Sequence, residues 1–386
     1  MVKAPTVLIV CGAGIVSGKE IVSLHLARGL RDAGWNPEFV TSSWSDGSFV
    51  RRLEQDGLKY QRLRLGFISA SLGLDTLLMT LDQLRFWPAL LYRYARHIKA
   101  TAPQAVIHTN WHHALLLLPF LSPRRDIFWV HDCFPNTSRY SRVIRMIAKR
   151  VGRVVCVSHA AARAVAVLGV PETHVAVIHN GLPPLDSIPA PGDQPTLRVG
   201  IVGQIGPWKG HDDLIDALAL LSREGVHTTL RIFGTGDPEY VASLKRKVSN
   251  LQLNDKVQWC GFVSSQAGIY TNLDICVVPT RIEESLATSA LEASGFGRPV
   301  ICSTRGGLPE IIDNGVTGFA IEAECPEQLA NAIKSFARAP TLVKTMGEAA
   351  RNRIRAEFSL ERFITQFTQV IEKIKVQRLS TVSHSV

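Results

Sequence analysis

The chain has 386 residues, of which 46% are hydrophobic and only 20% charged, a balance that supplies apolar material for buried cores and excludes a mainly disordered polymer. At about 100 to 200 residues per domain, the length points to two globular domains. The net charge is +10, all of it in the first half: residues 1–190 hold 22 Lys and Arg against 12 Asp and Glu, whereas residues 191–386 hold 21 of each. A field of that sign fits an anionic partner (phospholipid head groups, nucleic acid or a phosphorylated substrate) or a solvated basic surface.

The opening "MVKAPTVLIVCGAGIVSG" reads as a first strand, because glycines interrupt its apolar run and no cleavage site follows. Further short apolar runs follow in chain order: "NPEFVTSS", "QAVIHTN", "DIFWVHD", "RVVCVS" and "VAVIHNG". The stretch 183–195, with Pro183, Pro184, Pro189, Pro191 and Pro195, then reads as an extended linker, since proline removes backbone donors and fixes φ. Beyond it come "LRVGIVG", "TTLRIFG", "VQWCG", "DICVVPT", "RPVICST" and "GFAIEA". Nearly continuous apolar strands separated by helix-length segments describe parallel sheets covered on both faces. The expected class is α/β, with doubly wound domains over 1–185 and 196–358 and ligands at the carboxyl ends of the strands. A last helix is expected near 360–376, ahead of a frayed polar tail. The longest apolar run, 114–121, is too short to span a bilayer, which takes roughly 20 residues. Seven scattered cysteines without CxxC spacing point to a reducing cytosol and no structural metal.

Several segments carry candidate chemistry. Gly12, Gly14 and Gly18 form a GxGxxxG turn suited to phosphate at a helix start. It is not a Walker loop, and the second strand ends in Thr41, Ser42 and Ser43 rather than the acid a dinucleotide site needs. In "GIVGQIGPWKGHDDL", Lys209 sits in a glycine-rich loop with Gly206, where an ammonium can meet a diphosphate. Gly234 and Gly236 again suit close backbone approach. In "PTRIEESLATSALEASGFGRPVICSTRGGLPEII", Glu284 and Glu292 bracket an expected helix start with free amides. His108, His112 and His113 lack the carboxylate spacing of a metal site. Segment 139–153 has six basic residues and no acid, and its apolar residues share one arc. It reads either as a helix packed on the sheet with a solvated basic face, or as an attachment surface for anionic membrane. Stretch 66–98 reads as a helical hairpin in preference to a lipid-binding surface.

Taken together, the glycine turn, His131 after "DIFWV", "VVCVSHAA", "VAVIHNGL", the Lys209–Gly210 loop, the Glu284/Glu292 pair and "GRPVICSTRGGLPEII" resemble the retaining glycosyltransferases of family 4 over nearly the whole chain. The resemblance implies the GT-B architecture, two facing Rossmann-like domains with a cleft between them, the final helix returning to the first. It also implies site roles. Glu292 would hold the ribose hydroxyls; Glu284 would grip the transferred sugar; Lys209 and the amides of Ala287 and Thr288 would neutralise the diphosphate. His131 would reach the donor sugar from the first domain, Gly14 would let that domain approach the ligand, and Phe262 and Val263 within 261–265 would hold the base through backbone groups. The sequence departs from the family at Gln204, where an arginine is usual, and at Leu286–Ala287, where Phe-Gly is usual; Arg281 or Arg305 is expected to compensate.

The function so implied is transfer of a sugar from a nucleotide-diphosphate sugar to a hydroxyl acceptor, a glycan or lipid-linked glycan, with retention of anomeric configuration and no metal. The setting implied is cell-surface polysaccharide synthesis in the cytosol or at the inner face of its membrane. A nucleotide-sugar epimerase or hydrolase and a non-catalytic sugar-nucleotide-binding protein are the alternatives. Nucleic acid is not expected, because the aromatic-basic interleaving of RNA-binding modules is missing.

Overall fold

The computed structural model describes residues 4–12, 16–66, 74–185 and 196–382. Two compact units are present: Met1–Gly181 with Leu360–Val386, and Leu182–Ser359. In chain order the first contains β1 (Thr6–Val10), α1 (Gly18–Asp32), β2 (Asn36–Ser42), α2 (Ser48–Gln55), β3 (Lys59–Leu63), α3 (Leu74–Arg85), α4 (Trp87–Thr101), β4 (Ala105–His108), α5 (Trp111–Leu116), β5 (Asp126–Val130), α6 (Ser138–Ala148), β6 (Arg153–Cys156), α7 (His159–Val167) and β7 (Val175–Val177). The second contains β8 (Leu197–Val202), α8 (His211–Arg223), β9 (Thr228–Phe233), α9 (Pro238–Asn250), β10 (Val257–Gly261), α10 (Gln266–Tyr270), β11 (Ile275–Val278), α11 (Thr288–Gly295), β12 (Val300–Ser303), α12 (Leu308–Ile311), β13 (Gly318–Ile321), α13 (Pro326–Arg338) and α14 (Thr341–Glu357). The chain then returns to the first unit as α15 (Leu360–Val382).

Each unit has one sheet, seven-stranded in the order β3-β2-β1-β4-β5-β6-β7 and six-stranded in the order β10-β9-β8-β11-β12-β13. Strand pairings are parallel throughout, as the unbroken apolar runs predict. Strand order reverses between β1 and β4 and again between β8 and β11, so the loops leaving β1, β8 and β11 open at the crevices where doubly wound sheets take ligands. One strand escaped the sequence reading. β3 is a sheet edge with only Leu63 buried and the rest polar or aromatic, exposed or half-buried, so it lacks the apolar run that marked the others.

Two boundaries differ from expectation. Residues 182–185, expected to end the first domain and begin the linker, belong to the second unit: the Leu182 N–H donates to the Phe358 carbonyl at 2.9 Å and Arg351 donates to the Leu185 carbonyl at 3.3 Å. The rest of the linker lies outside the described residues. The last helix continues past 376 to Val382, where frayed chain was expected. Once a helix is nucleated, each further residue adds a backbone hydrogen bond, so polar side chains do not by themselves end it.

In the first unit α15 completes the core. Phe363, Phe367 and Ile371 are buried, and the Phe363 and Phe367 rings lie 5.8 and 4.8 Å from that of Trp129 on β5. Gly29 in α1 faces Ile364, and an added Cβ would overlap the Ile364 side chain. Gly29→Ala gains about 1 kcal/mol of helix propensity but overpacks the seam by about 1–3 kcal/mol. Denaturation curves should therefore show a net loss of stability in the wild-type background. The same change should turn stabilising in Ile364→Ala protein; an equal effect in both would remove the contact.

Candidate functional site

In the second unit the candidate residues gather on loops leaving the carboxyl ends of β8, β9, β10 and β11. β8 feeds a short turn, Pro207–Lys209, and Gly210 follows at φ +73°, where an added Cβ would overlap the Pro279 carbonyl. Glycine is needed there on both counts. Lys209 is thereby held near the segment after β11, and its Nζ donates to both oxygens of Glu284, at 2.7 and 2.9 Å. Both side chains are part-buried. Lys209 and Glu284, expected to take separate ligands, neutralise each other here. His211, buried next to the loop, adds no charge at neutral pH, since burial pushes its pKa down to about 4.

The Glu284 backbone is clamped from the loop after β12. The Gly307 N–H donates to the Glu284 carbonyl at 2.7 Å, and Gly306, at φ +59°, lies so close that an added Cβ would overlap that same carbonyl. Glu283 accepts the Gly306 N–H at 2.8 Å and lies 3.8 Å from Arg305. Arg281 does not compensate for Gln204. Its guanidinium forms a fork on Asp213 at 2.8 and 2.7 Å, which raises its pKa further, and its backbone N–H donates to the Trp208 carbonyl. It braces the loop instead.

Three residues beyond Glu284, Ala287 opens α11 with no side-chain cap. The first amides of a helix have no partner within it, and the helix dipole adds partial positive charge there. One turn into α11, the Glu292 carboxylate accepts from Gln266 at 2.8 Å and from the Tyr270 hydroxyl at 2.9 Å. Burial raises its pKa, and the two hydrogen bonds oppose the shift. Gln266 and Tyr270 were missed from sequence; only their four-residue spacing on α10 puts them on one face, a pattern shared by many helices.

The remaining second-unit candidates are less concentrated. Gly234 and Gly236 are required by a neighbouring loop: added Cβ atoms would overlap the carbonyls of Gly203 and Ile205. Gly206 packs under the Trp208 ring. Phe262 is 71% exposed and Val263 half-buried, just past β10.

In the first unit, Gly14 lies outside the described residues. Gly12, at φ +108°, leaves no room for a Cβ beside Thr41. Next to this turn, Ser17 and the buried Glu20 form a capping box on α1, with the Ser17 N–H 2.9 Å from the carboxylate. His131 follows β5 with its ring 4.3 Å from that of Trp129; burial and then Lys19 hold its pKa well below the ordinary value, so it is neutral at pH 7. His108 is structural, buried and bonded to Asp126 at 2.7 Å across β4 and β5. His113 is buried with its pKa pushed down to about 3. The basic segment forms α6 only as far as Ala148, and Arg153 belongs to β6. Ile144, Ile147 and Ala148 enter the core, leaving Arg139, Arg142, Arg145, Lys149 and Arg150 exposed. Among the described residues no helix is long and apolar enough to cross a membrane.

Comparison with known proteins gives this arrangement a context. Residues 190–353 match the family model for glycosyl transferases group 1, and residues 16–184 that for glycosyltransferase family 4. A lipopolysaccharide core biosynthesis mannosyltransferase of Rhizobium leguminosarum bv. viciae is 29% identical over 233 residues, 58% of this chain and 65% of that protein. A human alpha-1,3/1,6-mannosyltransferase is 34% identical over 139 residues, 36% of this chain and 33% of that protein. The chain thus spans between one third and just under two thirds of these relatives' lengths. Anabaena HepE, solved with UDP and glucose, superposes with a TM-score of 0.78 at 20% identity, covering 96% of this chain and all of that one. A glycosyltransferase from Rickettsia africae gives 0.76 at 21% identity, covering 96% and 98%. At such identities the structural likeness establishes the fold, which is GT-B.

The buried Glu292 yields a test that needs no ligand. A carboxyl whose folded pKa is raised above its unfolded value loses stability as pH rises through the folded pKa. Glu292→Gln, whose partners can both reverse their hydrogen-bond roles, should therefore gain stability relative to wild type as pH rises from 4 toward 8. Thermal midpoints across that range check it, and a difference independent of pH would mean that Glu292 ionises as freely as a surface acid.

Proposed function

The chain belongs to the glycosyl transferases of group 1, glycosyltransferase family 4, and from that membership we propose an anomer-retaining enzyme that moves a sugar from a nucleotide-diphosphate sugar to a hydroxyl of a glycan or lipid-linked glycan. The observation that carries the reading is the Lys209–Glu284 pair, three residues ahead of the uncapped start of α11. A donor diphosphate competes for the Lys209 ammonium and frees Glu284 to accept hydrogen bonds from sugar hydroxyls. As the bond to the leaving group breaks, charge grows on the diphosphate, where Lys209 and the amides of Ala287 and Thr288 stabilise it. Glu292, already aimed by Gln266 and Tyr270, accepts both hydroxyls of a ribose. Phe262 and Val263 meet the base, and the neutral His131 hydrogen-bonds the sugar. No metal is needed in this scheme. Retention through front-face attack, the leaving phosphate taking the acceptor's proton, rests on family membership alone.

Calorimetry separates the two glutamates. Glu292→Ala should weaken nucleotide binding by about 1–3 kcal/mol, roughly 5- to 150-fold. Glu284→Ala should keep most of that affinity and lose transfer. Unchanged nucleotide affinity in the Glu292 variant overturns the ribose assignment. Thermal shifts with UDP-, GDP- and ADP-sugars identify the base, since a ligand of the folded state raises apparent stability. Transfer should survive EDTA; a rate abolished by chelator and restored by Mn²⁺ or Mg²⁺ overturns the metal-free scheme. An anomer inverted between donor and product overturns retention.

The proposal includes attachment at the anionic face of a membrane through the exposed basic row of α6, supported by the positive charge of the first half. With its apolar face packed internally, α6 offers charge alone, at about 1 kcal/mol per residue near the surface and falling with salt. A second reading, a sugar-nucleotide-binding protein without transfer, is favoured by Gln204 and by the commitment of Arg281 to Asp213. Intact nucleotide binding with no transfer to any acceptor would select it.

A further inference from the structure

Helix α3 is amphipathic the wrong way round for a helix at a water-exposed surface. Leu78, Leu81 and Leu84 recur every three residues and are 62%, 54% and 44% exposed, with Met79 beside them at 43%. Among its described side chains, those turned toward the protein are polar. Gln83 is fully buried, its Oε1 accepting the Gly66 N–H at 2.9 Å and its Nε2 donating to the Arg64 carbonyl at 3.0 Å. Asp82 pairs with Arg64 at 2.6 Å, and the same guanidinium lies 3.7 Å over the Phe86 ring. These bonds fix the rotation of α3, because turning the leucines inward would leave Gln83 and the 64–66 backbone without their partners.

Helix α4 begins two residues after α3 ends and supplies charge. It buries Leu90 and Tyr94 and exposes Tyr92, Arg93, Arg96 and Lys99, with the Arg96 guanidinium 6.0 Å from the Tyr92 ring. Across α3 and α4 the acids are Asp75 and Asp82, the latter paired with Arg64, against the cations Arg85, Arg93, Arg96 and Lys99. We propose that the α3–α4 face docks on an anionic lipid bilayer, the α3 leucines and Met79 entering the boundary between head groups and acyl chains while the α4 cations meet lipid phosphates. Charge complementarity selects this occupant. A second copy of the same face would bring the same cations toward each other, whereas anionic head groups neutralise them and leave the apolar stripe an apolar neighbour.

The inference deepens the membrane reading above and shares its reliance on a positive first half, but the two surfaces differ in physics. α6 can offer only charge, which salt screens; α3 offers apolar area, which salt does not weaken. Sedimentation of the full chain with phosphatidylglycerol/phosphatidylcholine vesicles and with pure phosphatidylcholine separates them. Wild type should bind the anionic vesicles and keep a salt-resistant fraction at about 0.5 M NaCl. Leu78→Ser/Leu81→Ser/Leu84→Ser should lower partitioning about tenfold and remove that fraction, with thermal midpoint and nucleotide binding unchanged. Arg142→Gln/Arg145→Gln/Lys149→Gln on α6 should lower only the salt-sensitive part; if it changes nothing, the α6 reading fails while α3–α4 stands. On wild-type protein, amide exchange over residues 78–84 should slow when anionic vesicles are added. Wild-type partitioning by the serine variant, or loss of a dimer in sedimentation velocity on making it, overturns the proposal, the latter by identifying a second copy as the occupant.

Discussion

The candidate site depends on backbone lying directly on backbone at the carboxyl edge of the second sheet. Gly234 meets the carbonyl of Gly203, Gly236 that of Ile205, Gly210 that of Pro279, and Gly306 that of Glu284, each with no room for a Cβ. Four loops from different strands are thereby stacked into one layer whose spacing is set by main-chain atoms, which have no rotamers to change. Side chains that must act together can then be specified by position along each loop. Lys209 reaches Glu284 because Gly210 lets its loop lie under Pro279, and Glu284 stays put because Gly307 holds its carbonyl.

Within that layer the charged groups are paired with one another or with neutral donors. Lys209 has Glu284, Arg281 has Asp213, and Glu292 has two neutral donors. Pairing lowers the desolvation penalty that each charge would otherwise incur in a part-buried loop. The pairs differ in what a ligand can take from them. The Arg281–Asp213 fork is bidentate and braces the Trp208 carbonyl through the same residue, so it behaves as scaffold. Lys209 carries a flexible stem and a point charge, which can change partner at little geometric cost.

The sequence was most informative where burial imposes a period. The strands flanked on both sides by helices read as apolar runs, and β8, Leu197–Val202, lies within the run "LRVGIVG". β3 was invisible for the complementary reason, since an edge strand with exposed residues carries no such run. Among site residues, sequence supplied the residue types and their order but not their pairings. Nothing along the chain says that Lys209 and Glu284, 75 positions apart, share a salt bridge, or that Arg281 turns to Asp213. The polar anchoring of α3 was equally hidden, because an apolar run such as 77–79 looks the same whether it faces a core or a solvent.

The excursion of the chain out of the first unit after Gly181 and back at Leu360 makes the second unit an insertion within the first. During synthesis the inserted unit has its whole sheet and all of its described helices available before its host is complete. The host waits for α15, because until Phe363, Phe367 and Ile371 emerge the Trp129 side of its sheet lacks a cover. The order of maturation is therefore the reverse of the order of translation. For that interval the nascent chain carries an open apolar seam along α1 and β5, shaped to receive a helix and exposed to any chaperone that binds such seams.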